Sequence, residues 1–344
     1  MQRKVYCSLP TLETIVLYEN TVPELRRLLS HHDTIVLDVS VETLDSELSN
    51  PESILRLLLL IEANGLTLVT QPDCLTNAEE LLRAEAAGAL FVLDREPAEC
   101  ELLCQQFGVC VVSIAHTQAA STLTTHYYRQ LKKGAQYRRQ SSGETLTGWR
   151  DVLADKPVTL LNALVIIDNY LLKDEVKGRL NTANLLEALL PKTLDKELIF
   201  EVLLVVSAKE YPLKTEMLNR VIAALEASVK RNYTVRIGIL THNGDQRFHR
   251  RVVISNYHFL RSDRGFADFN ESEASHLNDV SLDGAYHDLT RPGNDLKWRS
   301  MEVELQSVQL LWKDNKRLKE TGRDVIITTN RMEGHCENRL LSLL

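Results

Sequence analysis

The chain lacks a glycine-rich phosphate loop of the P-loop or dinucleotide type, which removes two familiar signatures of nucleotide binding. It also lacks a CxxC pair. Its cysteines are Cys7, Cys74, Cys100, Cys104, Cys110 and Cys336. Cys100 and Cys104, four apart, share one face of a helix, but without matching histidines or further cysteines they make a poor zinc site. Reduced structural thiols in a cytosolic protein are expected. Long apolar runs are missing too. The most apolar stretch, "ILRLLLLIEA" (54–63), holds Arg56 and Glu62, is far too short to span a bilayer and reads as a buried helix. The first residues, "MQRKVYCSLPTLETIVLYEN", show neither a long apolar core nor a small-residue cleavage site, so a cytoplasmic protein without a transmembrane segment is expected. Excess positive charge is absent as well. A net charge of −7 argues against a general nucleic-acid coat protein, so any anion binding has to come from a local patch. No internal repeat recurs at a fixed period.

What remains is an ordinary soluble composition, 44% hydrophobic and 25% charged over 344 residues, enough for two domains. In residues 1–118, short β-branched runs at 34–38, 66–70, 89–94 and 109–114 alternate with helical stretches at 51–64, 75–88 and 97–108. Pro51 and Pro97 suit first helical turns, and Gly65, Gly88 and Gly108 suit helix ends. Strands separated by single helices imply a three-layer α/β domain with a mostly parallel sheet of Rossmann-like type, and "VLDREPAECELLCQQFGVCVVS" (92–113) resembles the last strand–helix–strand of PIN-like domains. Residues 119–157 break the pattern and read as a basic linker. Residues 158–344 resume it as a second α/β domain. Strands are expected at 160–168, 197–208, 233–241, 251–260 and 324–330. Helices are expected at 181–190, capped by Asn181 or Thr182, at 214–231 and at 300–322, with a long polar loop at 270–299. In the last helix Trp298, Met301, Val303, Leu305, Val308, Leu311 and Trp312 are the candidate core positions.

The stretch "RFHRRVVISNYHFLRSDRGFADF" (247–269) carries the densest chemistry. As one strand, it would place His249 and Arg251 side by side on a single face. A guanidinium beside an imidazole can hold a phosphate, and the imidazole can attack or donate a proton.

"HRRVVISN" (249–256) resembles the phospholipase D superfamily motif, His-x-Lys followed by four residues and Asp. His249 holds the histidine position, Arg251 replaces the lysine and Asn256 replaces the aspartate. "NYHFLRSDRGFADF" (256–269) is similar to the phospholipase-D-like C-terminal domain of MIT-domain proteins, with "DRGFADF" as its Arg-Gly-hydrophobic-x-x-Phe ending. "VIIDNYLL" (165–172) looks like an early strand of such domains. The resemblance implies a phospholipase-D-like C-terminal fold. It implies His249 as nucleophile where there is chemistry, Arg251 as phosphate clamp and Asn256 as orienting residue. Active members use two His-x-Lys motifs, so one motif per chain implies a homodimer for catalysis. The MIT-type relatives are regarded as non-catalytic and bind acidic membranes. Bacterial His-x-Arg versions are associated with defence systems, which makes a nuclease of antiviral defence the corresponding expectation.

Local charge points the same way. Lys230, Arg231, Arg236, Arg247, Arg250, Arg251, Arg261 and Arg264 face only Asp245 and Asp263 between residues 230 and 264, a local excess of +6. The linker adds Arg129, Lys132, Lys133, Arg138 and Arg139 among Tyr127, Tyr128 and Tyr137, a composition suited to phosphate tracking and base stacking. In the first domain, Asp38 and Asp94 end predicted strands and Glu79 opens a helix. Such converging carboxylates could hold Mg²⁺ for PIN-like nuclease chemistry. Three readings follow. The first is phosphodiester binding and hydrolysis on nucleic acid, by a homodimer or a component of a complex. The second is a non-catalytic scaffold binding a partner protein or acidic lipid headgroups. The third is a PIN-like metal nuclease.

Overall fold

The computed structural model describes residues 4–17, 34–47, 55, 58–59, 61–62, 65–84, 89–114, 149–150, 160–209, 214–262, 265–266, 280–284, 295–320 and 330–341. Arg129, Lys132, Lys133, Arg138, Arg139 and Arg264 lie outside the described residues, as does the expected strand 324–330 apart from its last residue. The chain divides into two compact units, Met1–Gln130 with Asp288–Asn294 and Leu131–His287 with Asp295–Leu344. Both are of the α/β class. No helix among the described residues is long and apolar enough to cross a membrane.

The first unit runs β1 (Lys4–Cys7), α1 (Leu9–Leu17), β2 (Thr34–Leu37), α2 (Val41–Glu47), β3 (Thr67–Thr70), α3 (Ala78–Ala84), β4 (Leu90–Leu93), α4 (Pro97–Phe107) and β5 (Cys110–Ser113). Its strands lie in the order β3-β2-β1-β4-β5, and every pairing is parallel. Four strands fall where the apolar runs place them. The fifth, β1, was not expected, yet it is the central one. Its Val5, Tyr6 and Cys7 are buried, and Tyr6 stacks on its cross-strand neighbour Phe91 with ring centroids 4.7 Å apart. Helix α4 begins at Pro97 and ends on Gly108, whose φ of 67° is the left-handed turn that glycine adopts without strain. Its Cys100 and Cys104 do share a buried face, and Cys104 Sγ exchanges hydrogen bonds with the Val111 backbone. Burial pushes the Cys7 and Cys104 thiols up to about 12, so they stay protonated and inert. The run at 54–63 departs from expectation. Of its described residues, Leu55, Leu58 and Leu59 are more than half exposed.

The second unit contains β6 (Ala163–Ile167), α5 (Glu175–Leu189), β7 (Ile199–Ser207), α6 (Thr215–Ser228), β8 (Thr234–His242), a 3₁₀ turn (Gln246–Phe248), β9 (Val252–Ser255), β10 (His258–Ser262), β11 (Val280–Gly284), α7 (Asp295–Glu320) and β12 (Met332–Gly334). The sheet order is β11-β10-β9-β6-β7-β8-β12. Strands β6, β7 and β8 are parallel, and β9 to β12 join antiparallel. The expected single strand 251–260 is a hairpin, turning at Asn256 and Tyr257 so that Phe259 pairs with Ile254 and Arg261 with Val252. The expected loop 270–299 contains β11 and the first turn of α7.

Helix α5 starts six residues earlier than the sequence suggests. Its cap is Asp174, whose carboxylate accepts from the Lys177 N–H at 2.8 Å, rather than Asn181 or Thr182. Gly178 reads as a helix breaker but is required here, because a Cβ would lie 2.4 Å from the Leu171 carbonyl oxygen. In α7 the buried stripe is Met301, Leu305, Val308 and Leu311. Val303 faces outward, off the i, i+4, i+7 spacing of that stripe. Asp174→Ala removes the α5 cap and is expected to cost about 1 kcal/mol. Thermal denaturation followed by circular dichroism should show a midpoint lower by roughly 2–4 °C.

Candidate functional site

Open α/β sheets place ligands beyond the carboxyl ends of their parallel strands. In the second unit those ends are Ile167, Ser207 and His242 of β6, β7 and β8. The chain leaving them encloses a pocket of about 150 Å³ lined by Asn169, Tyr170, Ser207, Lys209, Gly244, Asp245 and His249.

Each wall has a local cause. After β6, the Asp168 carboxylate accepts from the Tyr170 N–H at 2.9 Å, which fixes the turn carrying Asn169 and Tyr170. After β7, Ser207 Oγ accepts from the Lys209 N–H at 3.3 Å. The Lys209 stem then crosses Gly244, where φ is +71° and an added Cβ would stand 2.5 Å from the lysine Cδ. After β8, Asp245 accepts from the Arg247 N–H at 2.9 Å and starts the 3₁₀ turn that ends at His249.

That turn is tied down by His242. The imidazole is fully buried at the end of β8. Its Nδ1 accepts from the Asp245 N–H at 3.0 Å, and its Nε2 lies 2.9 Å from Asn169 Oδ1. An Nδ1 that accepts leaves the proton on Nε2, so the ring is neutral and donates to Asn169. Asn169 Nδ2 in turn donates to the Phe248 carbonyl at 2.9 Å. Burial holds the His242 pKa down at about 4, against the partial pull of the Asp245 carboxylate.

The expected residues part company here. His249 is exposed and lines the pocket, but it caps the C-terminal end of the 3₁₀ turn and does not lie in a strand, since β9 begins only at Val252. Arg251 just precedes β9. Its guanidinium stands 5.2 Å from the Tyr170 ring centroid, and its Cδ packs at Gly265. Asn256 follows the opposite end of β9, five residues from Arg251, roughly 16 Å at about 3.3 Å per residue. It is wholly buried. Its Oδ1 accepts from the N–H groups of Asn162 and Ala163 at 2.8 and 3.3 Å, and its Nδ2 donates to Asn162 Oδ1 at 2.8 Å. Asn256 is a staple for the start of β6, not an orienting residue beside His249.

Part of the local excess of +6 is countered within the protein, by Glu187 and Glu304 from outside the stretch, while the Asp245 already counted in it holds Arg247. Arg247 grips Asp245, with Nε 2.9 Å from Oδ2, and these bonds hold the Asp245 carboxyl below its usual range. Arg231 pairs with Glu187 at 2.9 Å. Arg250 reaches Glu304 at 3.5 Å. Burial pushes the Glu304 carboxyl up, and the charges of Arg250 and Arg261 pull it back. Lys209, which the sequence reading missed, is the cation in the pocket. Its signal was position: it follows the polar exit of the long buried strand β7, where open sheets place ligands.

The carboxylates of the first unit do not converge. Asp38 accepts from the backbone N–H groups of Cys74 and Leu75 at 3.0 and 3.2 Å, and Glu79 pairs with Arg83 at 3.5 Å. Asp94 is exposed just past the end of β4, which β1 separates from β2, a gap of about 10 Å at the usual strand spacing. Among the described residues no group of three or more His, Cys, Asp or Glu could hold a metal ion. The expected Mg²⁺ site is therefore corrected: Asp38 fastens a loop instead.

No protein-family model matches the chain, and no curated protein sequence matches it.

Asn256→Asp restores the acid of the resembled motif, yet it replaces an N–H donor with a carboxylate oxygen facing Asn162 Oδ1. It is expected to destabilise the second unit by about 2–4 kcal/mol and to add no phosphodiesterase activity, as measured by denaturant unfolding and a chromogenic phosphodiester. His242 should set part of the pH dependence. Its contribution is complete above the ordinary histidine pKa of about 6.5. As pH falls, the unfolded chain takes up a proton that the native imidazole refuses, and the contribution is gone by about pH 4. The difference in melting temperature between the wild type and His242→Asn should therefore narrow steadily from pH 7 to pH 4.

Proposed function

We propose that the second unit binds a phosphodiester chain by seating one phosphate in the pocket beyond β6, β7 and β8. The observation that carries this reading is the joint presence of Lys209, His249 and the Ser207 hydroxyl around one cavity. The acid in its wall, Asp245, is already committed to Arg247. At about 150 Å³ the cavity is smaller than the roughly 300–1,000 Å³ that encloses a whole drug-sized ligand. It suits one group of a longer molecule. Lys209 supplies a point charge, His249 a donor, and Gly244 a surface without a side chain.

Cleavage asks for more. A two-histidine mechanism needs one imidazole to attack phosphorus and another to protonate the leaving oxygen. One chain offers His249 at the pocket. Its near neighbour in sequence, His242, is buried with both nitrogens engaged. The reading is therefore binding without turnover by a single chain, with cleavage reserved for an assembly that brings two His249 side chains to one phosphate.

Fluorescence anisotropy with a labelled oligonucleotide tests it. Lys209→Ala is expected to weaken binding roughly tenfold, in line with loss of one charged hydrogen bond, and to reduce the salt slope by about one. His249→Ala should weaken binding without altering the melting temperature. Unchanged affinity in both variants would sink the reading. A nuclease assay separates the rivals: cleavage that is lost with EDTA and with Asp38→Asn would favour the first unit as a metal nuclease.

A further inference from the structure

The pocket has one aromatic wall, and its setting differs from that of a core residue. Tyr170 is 40% exposed although it lies only three residues beyond the fully buried strand β6. Its backbone is held by the hydrogen bond to Asp168 Oδ1 at 2.9 Å, so the ring projects from a fixed point. The Arg251 guanidinium lies over that ring at 5.2 Å from its centroid. Arg251 is itself located, because its Cδ packs at Gly265, where an added Cβ would stand 3.0 Å from that Cδ and 2.6 Å from Asp168 Oδ2. A guanidinium over a ring is an attractive arrangement that fixes the ring's orientation. The ring keeps open surface at the pocket rim, beside Lys209 and His249.

We infer that Tyr170, backed by Arg251, is a stacking platform for an unpaired base whose neighbouring phosphate occupies the pocket. The ligand class is thus single-stranded nucleic acid. This inference rests on the phosphate-binding reading of the same pocket. Proteins that hold single strands combine cationic phosphate contacts with aromatic rings, since every base has a stacking face. A duplex keeps those faces inside its own stack and offers none to Tyr170. An acidic membrane surface fits less well. It is recognised by clusters of Lys and Arg presented together, and here Arg247 and Arg250 are paired with Asp245 and Glu304. Arg251 acquires a different task from the one its motif position implies: it supports the ring instead of clamping the phosphate.

The test uses the full chain and three labelled probes of equal length: an oligothymidylate, an abasic deoxyribose-phosphate oligomer and a duplex. The oligothymidylate should bind roughly tenfold more tightly than the abasic oligomer, and more tightly than the duplex. Tyr170→Leu should abolish that preference by weakening the oligothymidylate roughly tenfold more than the abasic oligomer. Tyr170→Trp should retain it, which separates stacking from a folding defect. Lys209→Ala should weaken the oligothymidylate and the abasic oligomer alike. Equal binding of those two by the wild type would overturn the platform while leaving phosphate binding intact. So would a Tyr170→Leu variant that loses both equally. Binding of neither oligomer, together with capture on phosphatidylserine-containing vesicles, would overturn both readings.

Discussion

The pocket depends on one buried carboxylate. Asp168 ends the run of β6 with no exposed surface, yet both of its oxygens are used. One accepts from the Tyr170 N–H at 2.9 Å and the other from the Phe266 N–H at 2.7 Å. The first bond shapes the pocket wall. The second draws in the chain beyond β10, where the Ser262 hydroxyl donates to the Gly265 carbonyl at 2.7 Å and accepts from its N–H at 3.0 Å. Phe266 is itself buried, and Trp149 packs on it with centroids 5.3 Å apart. Burial raises the Asp168 pKa, and the two N–H donors and the Arg251 charge work against that rise. A side chain without acceptors here would orphan two N–H groups in the interior, which is costly where water cannot replace the partner.

The sheet divides its labour around that point. The parallel half, β6, β7 and β8, supplies the carboxyl edge and the chemistry of the pocket. Helix α7 supplies a counter-charge to the basic stretch around the antiparallel strands. Glu304 on α7 is nearly buried and faces Arg250 and Arg261, so a helix far along the chain neutralises part of the basic stretch that precedes and follows β9. Charge counted along a sequence and charge presented to a ligand are different quantities, and ion pairing between distant segments is what separates them.

Much of the fold was legible in the sequence because β-branched runs bounded by glycine, proline and charged residues are local signals. Strands β2, β3, β4, β5, β7 and β8 announced themselves in this way. What escaped was set by tertiary context. Strand β1 is no shorter than its neighbours, but nothing local to "KVYC" marks it as a centre, because the strands it joins lie later in the chain. The early start of α5 was hidden by an exposed first turn and by Gly178, whose need arises from the Leu171 backbone. In the candidate site, His249 could be picked out from its motif, whereas its partners could not. Lys209, Tyr170 and Gly244 meet it only because three strands end together. Asn256 misled for the complementary reason: its spacing from His249 fits a motif, but its carboxamide is committed to β6.

The position of β1 has a consequence for how the first unit is made. Residues 4–7 leave the ribosome before the rest of their sheet, yet they hydrogen-bond to β2 on one side and to β4, some eighty residues later, on the other. The strand synthesised first is thus the seam joining two halves, and one side of it stays open until residue 91 has emerged. Shortening the chain past Cys7 would not trim an edge. It would leave two separate pairs of strands, β2 with β3 and β4 with β5, with no common neighbour to join them.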